Sequence, residues 1–491
     1  MEKRVLLATL LSLSFLFLWQ YLTYKPVQKQ TEQVQQKTEF EKQEIKNVSI
    51  EPKFEPYVVE TEKLKFVFNK YTAGIKEIYL KEENSQEYTL LSKSEPDSLA
   101  LDTSSKFDVK KIVFADGTKI VFITKDKQVE YFFSSQNPYF VDISYTFLSK
   151  QKVNLLSQQY VHLDKFETLP NVVHICKILR TDKKELTVVE KFNKGKLSTE
   201  DIRWVAVGDK YSIIAFLFDS NVAQSVYIDK FNKNIKSVSI TTNEEVNKYK
   251  LKLLVSSKKI SVLTSLGNKF IYTVEWGTFA ILSKLFYKIL VYFYNLFGNY
   301  GVAIIALTII TQILTFPLTY NSIKSTIKMK KLQPQIQLIQ KLYKDDPKRL
   351  NIEIMNFYKE KKVNPFGGCL PLLLQIPIFW ALFTMLRNTY DLRGAKFILW
   401  IKDLSQPDRI FIPGTNFGIP VLVLLMGATM LIQQLFSGSF SDPQQKTFAI
   451  FMPIMFTVLF LNFPSGLVLY WFVNNIFSIL IQIIANKTVK V

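Results

Sequence analysis

The stretch YGVAIIALTIITQILTFPLTY, residues 300–320, holds no Asp, Glu, Lys or Arg and sits inside an uncharged run from Ile289 to Ile323. A bilayer core about 30 Å thick needs about 20 apolar helical residues. Three further uncharged runs follow, Val363–Leu386, Ile410–Ser441 and Thr447–Asn486. The last is interrupted at Asn462-Phe-Pro-Ser-Gly466, where turn residues divide it into two spans. The second half of the chain is therefore expected to cross a membrane five times.

Near the start, Lys3-Arg4 precedes an uncharged apolar run, Val5–Tyr24. Its end carries bulky Trp19, Gln20 and Tyr21 rather than the small residues of a cleavage site. Residues 1–24 thus read as an uncleaved anchor, a sixth span.

Orientation follows from charge. Residues 320–362 carry eleven Lys/Arg against four Asp/Glu, and the positive-inside rule puts them in the cytoplasm. Counting through the spans places Lys25–Asn268 outside and returns Lys3-Arg4, Ser437–Lys446 and Lys487–Val491 to the cytoplasm. The formal charge of +20 fits the same logic, since basic loops are retained inside and attract anionic lipid. No zinc-ligand spacing or RNA-binding signature points to nucleic acid. Cys176 and Cys369 fall in unlike parts of the chain and imply no disulfide framework.

A mean hydropathy of +0.09 averages a polar first half and a very apolar second half. Residues 25–55, rich in Gln, Lys and Glu, read as a flexible tether. Over residues 56–270 the pattern alternates, as in Leu64-Lys-Phe-Val-Phe68, Ile120-Val-Phe-Ile-Thr124 and Tyr139-Phe-Val-Asp-Ile-Ser-Tyr145. Asp116-Gly117 and Asn137-Pro138 supply turns, and the whole predicts a large all-β sandwich.

Residues 276–299 predict an amphipathic helix with Leu282, Phe286, Ile289 and Phe293 on one face and Lys284 and Lys288 off it. With Trp276 and Tyr287 it suits the outer membrane interface, a core helix of the β domain being the alternative. The basic segment 320–362 predicts a helical hairpin. Leu332, Ile336, Ile339 and Tyr343 form one apolar stripe, and Leu350, Ile354 and Phe357 the other, with Asp346-Pro347 opening the second arm. Lys324, Lys328, Lys331, Lys348 and Arg349 are left for lipid headgroups or a cytoplasmic partner.

Polar groups within the spans must find partners or water, and here they recur at helical spacing. Thr308, Gln312 and Thr315 share one face of the first C-terminal span. Trp471, Asn475, Ser478 and Gln482 make a stripe on the last span, with Asn474 beside it. Gln375 lies in mid-span, and Gln433 near the cytoplasmic end of its own span. Two readings fit: hydrogen bonds that glue helices together, and a hydrated groove open to the cytoplasm, closed outside by Phe460, Phe463 and Leu467. No acidic residue lies in mid-span, as ion-coupled transport would need, and no P-loop occurs. His162 and His174, the only histidines, suggest no metal or nucleophile pattern, and no cofactor is expected.

Four strings carry a family resemblance. They are Thr315-Phe-Pro-Leu-Thr319, Lys331-Leu-Gln-Pro334, Asn364-Pro-Phe-Gly-Gly-Cys-Leu-Pro-Leu-Leu-Leu-Gln-Ile-Pro-Ile-Phe379 and Phe463-Pro-Ser-Gly-Leu-Val-Leu-Tyr-Trp-Phe-Val-Asn-Asn475. On these the chain resembles the YidC/Oxa/Alb family of membrane protein insertases, in its Gram-negative bacterial form. The resemblance implies an α-helical inner-membrane protein with six transmembrane helices, five of them (residues 300–486) forming the insertase core. It also implies a periplasmic β-supersandwich similar to galactose mutarotase, although sugar chemistry does not follow from such a fold.

Its implied work is non-enzymatic: to insert and chaperone nascent membrane proteins through a hydrophilic groove, alone or with the Sec translocon. The groove would use Thr308, Gln312, Thr315, Gln375, Gln433, Trp471, Asn474, Asn475, Ser478 and Gln482. Bacterial members usually place an arginine where Gln312 stands, so a groove cation is missing here. The sequence after Ala485 is short, so ribosome contact is expected on residues 320–362 and 437–446. The rival functions are a small-solute transporter or channel and a membrane-anchored carbohydrate-binding enzyme.

Overall fold

Strand pairing organises the first half of the molecule. The computed structural model describes residues 53–488 except 82–87, 102–105, 162–171, 182–183, 193–194, 199–201, 219–221, 223, 231–235, 362, 364–369, 412–417 and 438–442. The expected anchor at 1–24, nearly all of the tether and His162 lie outside these residues.

An eight-stranded antiparallel sheet runs, edge to edge, through Pro56–Glu60, Leu64–Asn69, Ile75–Lys81, Tyr88–Ser98, Asn154–Val161, Lys236–Thr242, Gln224–Lys230 and Gly195–Ser198. A nine-stranded sheet runs through Lys184–Phe192, Val172–Thr181, Ile202–Gly208, Ser212–Phe218, Val246–Ser257, Phe140–Gln151, Lys127–Ser134, Gly117–Ile123 and Asp108–Phe114. Alternate residues of both, such as Phe66, Phe68, Phe122, Tyr131, Tyr145 and Phe216, fill one shared core, as the two-residue period of a strand requires. Two tyrosine hydroxyls cross that core to backbone carbonyls, Tyr131 to Ala73 at 2.7 Å and Tyr145 to Leu99 at 2.9 Å. Each buried hydroxyl thereby keeps a partner.

The outer face of the larger sheet is partly covered by helix α1 (Ile260–Leu266), where Leu263 and Phe270 pack with Trp204, Cys176 and Leu254. Nearby, His174 and Lys258 are almost fully buried. Lys258 Nζ donates to the Asp209 carbonyl at 2.7 Å, and burial lowers its pKa to about 8. Burial, with the charges of Lys258 and Lys191 adding, lowers that of His174 to about 3.

Helices make up the second half. They are α2 (Ala280–Phe297), α3 (Tyr300–Leu342), α4 (Pro347–Glu360), α5 (Leu370–Asn388), α6 (Val421–Ser437), α7 (Pro443–Leu459) and α8 (Ser465–Thr488). Among the described residues, α2, α3 and α8 are long and apolar enough to cross a membrane, and Val421–Phe436 and Ala449–Asn462 are shorter apolar helices. The helix expected over 276–299 starts only at Ala280. Gly277 breaks it with a left-handed φ of 70°, where a side chain would collide with Thr384. Trp276 instead sits edge-on to Tyr287 from outside the helix.

α2 buries Ser283, Phe286 and Leu290, and Ser283 Oγ donates to the Ala381 carbonyl of α5 at 3.0 Å. α3 starts where Asn299 Oδ1 accepts from Gly301 N and Val302 N, satisfying two orphan donors. It then runs 43 residues without a break, so the first arm of the hairpin continues the span. Asp346 Oδ1 accepts from Lys348 N and Arg349 N, each at 3.1 Å, with Pro347 in the first turn, and α4 begins there.

Candidate functional site

Apolar contacts set the frame of the bundle. Ala303, Ile304 and Leu307 of α3, Leu382 and Met385 of α5, Val423 and Met426 of α6, and Val468 and Val473 of α8 form one buried cluster. Against this frame α8 is the hub of the polar contacts. The side-chain amide of Gln312 donates to Asn474 Oδ1, joining α3 to α8. Gln375 Nε2 donates to the Tyr470 hydroxyl at 3.1 Å, joining α5 to α8. Asn475 Nδ2 lies 3.3 Å from Thr429 Oγ1 and 3.4 Å from the Met426 carbonyl, joining α6 to α8. Asn474 and Asn475 are adjacent, so about 100° separates them around the helix and they serve different neighbours.

The other expected residues turn inward on their own helices. Thr308 and Thr315 donate to the carbonyls of Ile304 and Thr311. Ser478 donates to that of Asn474. Gln482 Nε2 donates to Asn486 Oδ1 at 3.1 Å, and Asn486 in turn reaches the Phe436 carbonyl of α6. Gln433 is half-buried on α6 and joins none of these pairs. Gln312, Asn475 and Gln482 are buried, and Gln375, Asn474 and Ser478 half-buried. Each interhelical pair contributes about 0.6 kcal/mol in a membrane. Losing one partner there costs more, because the other is stranded in hydrocarbon.

Trp471 occupies a separate, aromatic environment. Its ring lies 4.9 Å from Phe379 of α5, 5.6 Å from Phe456 of α7 and 5.2 Å from Phe460. Phe463 and Phe383 extend the cluster. The structure thus brings Gln312 and Asn474 together and keeps Trp471 with the aromatics of α5 and α7.

On the hairpin, Lys324, Lys331, Lys348 and Arg349 are exposed and Lys328 is half-buried. The guanidinium of Arg349 lies over the Tyr343 ring at 5.4 Å. Sequence reasoning missed Tyr470, Thr429 and the segment between α5 and α6, where the buried Asp408 receives the Trp400 indole N–H at 2.6 Å. An acid beside two uncharged runs was the available signal.

The family described as 60Kd inner membrane protein matches residues 292–491. A protein of Endomicrobium trichonymphae named "Membrane protein insertase YidC" is 34% identical over 522 residues, spanning 99% of this chain and 98% of that one. This chain belongs to the YidC family of membrane protein insertases. Another member, from Pelobacter propionicus, is 40% identical over 337 residues, which span 66% of this chain but only 61% of that relative. A solved structure described as an active YidC insertase with its first transmembrane domain resolved aligns over 89% of this chain and 93% of its own. Its sequence identity is 19% and its TM-score 0.42. Family membership rests on the sequence relatives rather than on that superposition.

Proposed function

We propose that this protein inserts nascent membrane proteins into the bacterial inner membrane and assists their folding, alone or beside the Sec translocon. The observation that carries the reading is the end-to-end relationship to proteins named as insertases, 34% identical over 99% of the chain. The topology that goes with it has six spans, both termini in the cytoplasm, the β domain in the periplasm and α2 along the outer interface.

The path for substrate is the polar side of the bundle, open to cytoplasm and lipid. Thr308, Gln312, Thr315, Gln375, Gln433, Asn474, Asn475, Ser478 and Gln482 hold water and the hydrophilic flanks of the incoming chain. Trp471 meets its apolar helix. With Gln312 in place of a cation, the path works by hydration and hydrogen bonding rather than by net charge. Burial of about 20 apolar residues in lipid drives the reaction. A charged flank at mid-membrane opposes it by about 2.5–3.5 kcal/mol, and a wet path lowers that barrier. The basic hairpin meets arriving chains, ribosomes or lipid headgroups.

Site-specific photocrosslinking from Gln312 and from Trp471, during translation of a short membrane protein, tests the reading. Polar flanks should crosslink at Gln312 and the apolar helix at Trp471. Insertion that proceeds with neither crosslink overturns the path. Saturable solute flux through vesicles holding only this protein would support a channel instead.

A further inference from the structure

One segment, Thr389–Ile410, lies where α3, α6 and α8 all begin. At α3, Asn299 Nδ2 reaches the carbonyls of Lys396 and Phe397, and the Phe397 ring presses so close to Gly301 that a Cβ there would stand 2.0 Å from a ring carbon. At α8, Gly466 N donates to the Leu404 carbonyl at 2.9 Å and Ser465 N to that of Gln406 at 2.7 Å. Ser465 Oγ donates to the Asp403 carbonyl at 2.9 Å. At α6, one oxygen of Asp408 accepts from Leu422 N while the other accepts from Trp400 Nε1. The segment is also fastened to the β domain: Tyr390 lies edge-on to Tyr211, and the Arg393 guanidinium sits 5.3 Å over the same ring.

Helix N-termini expose unsatisfied N–H groups and the positive end of the helix dipole, which attract water and anions. Here side-chain and carbonyl oxygens of one segment, with Asn299, occupy that end of all three helices. Asp408 is 4% exposed, and Trp400, within the same segment, holds one of its oxygens while the other receives Leu422 N, so swinging the segment away would strip the buried carboxylate of its α6 donor and bare the α6 terminus at once. The burial and the double acceptance by Asp408 identify it as the clasp.

We propose that Thr389–Ile410 is a fixed outer seal, buttressed by the β domain, and that Asp408 is the positioning residue that locks it to the bundle. The proposal rests on the reading of an inward-open path, and it gives the β domain a role in keeping that path closed on its own side. The seal stays shut during insertion, and substrates leave sideways into lipid.

The test uses the full chain in cells, with Gln312→Cys as reporter and with Cys176→Ser and Cys369→Ser to remove other thiols. A charged, membrane-impermeant thiol reagent is added from each side in turn. The reporter alone should label from the cytoplasm and not from outside. Adding Asp408→Ala should raise outside labelling about tenfold, the scale of a lost charged cap, while cytoplasmic labelling stays unchanged, which general unfolding would not allow. Asp408→Asn should fall between. Trp400→Phe removes one donor, gives a smaller rise, and decides the matter if Asp408→Ala does not accumulate. Outside labelling that stays flat in every assembled variant overturns the seal. Equal labelling of the reporter alone from both faces, or from neither, overturns the inward-open path instead.

Discussion

Gln312 and Asn474 stand 162 positions apart, yet one side-chain amide donates directly to the other and ties α3 to α8. Both are neutral, so the contact holds no net charge at the place where family members usually carry an arginine. Gln312→Leu strands the Asn474 oxygen, so it costs more than the about 0.6 kcal/mol of the interhelical bond itself. It leaves Thr308, Thr315, Asn475, Ser478 and Gln482 in place, so insertion should fall only partly. Gln312→Arg keeps a donor on a long stem that reaches water, and should be tolerated. Leucine at 312, 475 and 482 together should cripple insertion of substrates with charged tails and impair those with uncharged tails less. Vesicles carrying each variant measure both substrate types. Full activity of the triple variant on charged tails would mean that the polar row only glues helices.

The β domain meets the bundle through Tyr211 and Tyr390, whose rings lie 6.3 Å apart at 76°. Tyr390 belongs to the connection after α5 but is buried with the apolar core of the β domain. Tyr390→Ala empties that place, at a cost of about 3 kcal/mol by analogy with other large aromatic truncations. Proteolysis of the linker around residues 267–278 should quicken, with the strands themselves remaining protected. Tyr390→Phe keeps the ring and should retain most of the docking.

Much of this architecture was legible in the chain because local chemistry and long-range packing agree. Asp346-Pro347 announces α4, and the alternation in Leu64–Phe68 and Tyr139–Tyr145 gives strands whose alternate residues are core. Other features depend on distant partners. Helical spacing groups Asn475 with Trp471, but only the assembled bundle decides that Asn474 meets α3, that Asn475 meets α6, and that Trp471 joins an aromatic cluster. The contacts of Thr389–Ile410 join residues such as Gln406 and Ser465 with no period to reveal them. The unbroken course of α3 through Pro317 and Pro334 was hidden too, since proline ordinarily suggests a boundary.

His174 makes the β domain sensitive to acid. Its side chain is 3% exposed and its Nδ1 has no hydrogen-bond partner among the described residues. Burial first, then the charges of Lys258 and Lys191, lower its pKa to about 3 from an ordinary 6.5. Between those two values the unfolded chain binds a proton that the folded chain refuses, so stability rises with pH across the window. Each unit of acidification below about 6.5 should remove up to ~1.4 kcal/mol, and the loss should level off near pH 3. Hydrogen exchange in Val172–Thr181 and Ile202–Gly208, corrected for intrinsic rates, should quicken from pH 7 to 5. His174→Gln should flatten that dependence.

The hairpin should be separable from the fold of the bundle and indispensable to its work. α3 and α4 each bury a single residue in their cytoplasmic arms beyond Ser322, Ile336 and Leu350, whereas Leu338, Leu342 and Ile352 are exposed. So small an apolar seam holds the arms weakly, leaving them free to move against each other when a chain arrives. Aspartate at both 336 and 350 would put two carboxylates into that seam and should separate the arms, lowering insertion while the polar pairs around Asn474 and Asn475 persist. Deleting Lys324–Lys361 should abolish insertion altogether and still yield a membrane-embedded protein, with thiol labelling in the remaining helices unchanged. The measurement is growth of cells that depend on this protein, together with the amount of variant recovered from membranes. A deletion variant that supports normal growth would leave the hairpin no part in receiving substrate, and its basic residues would be no more than a topological signal.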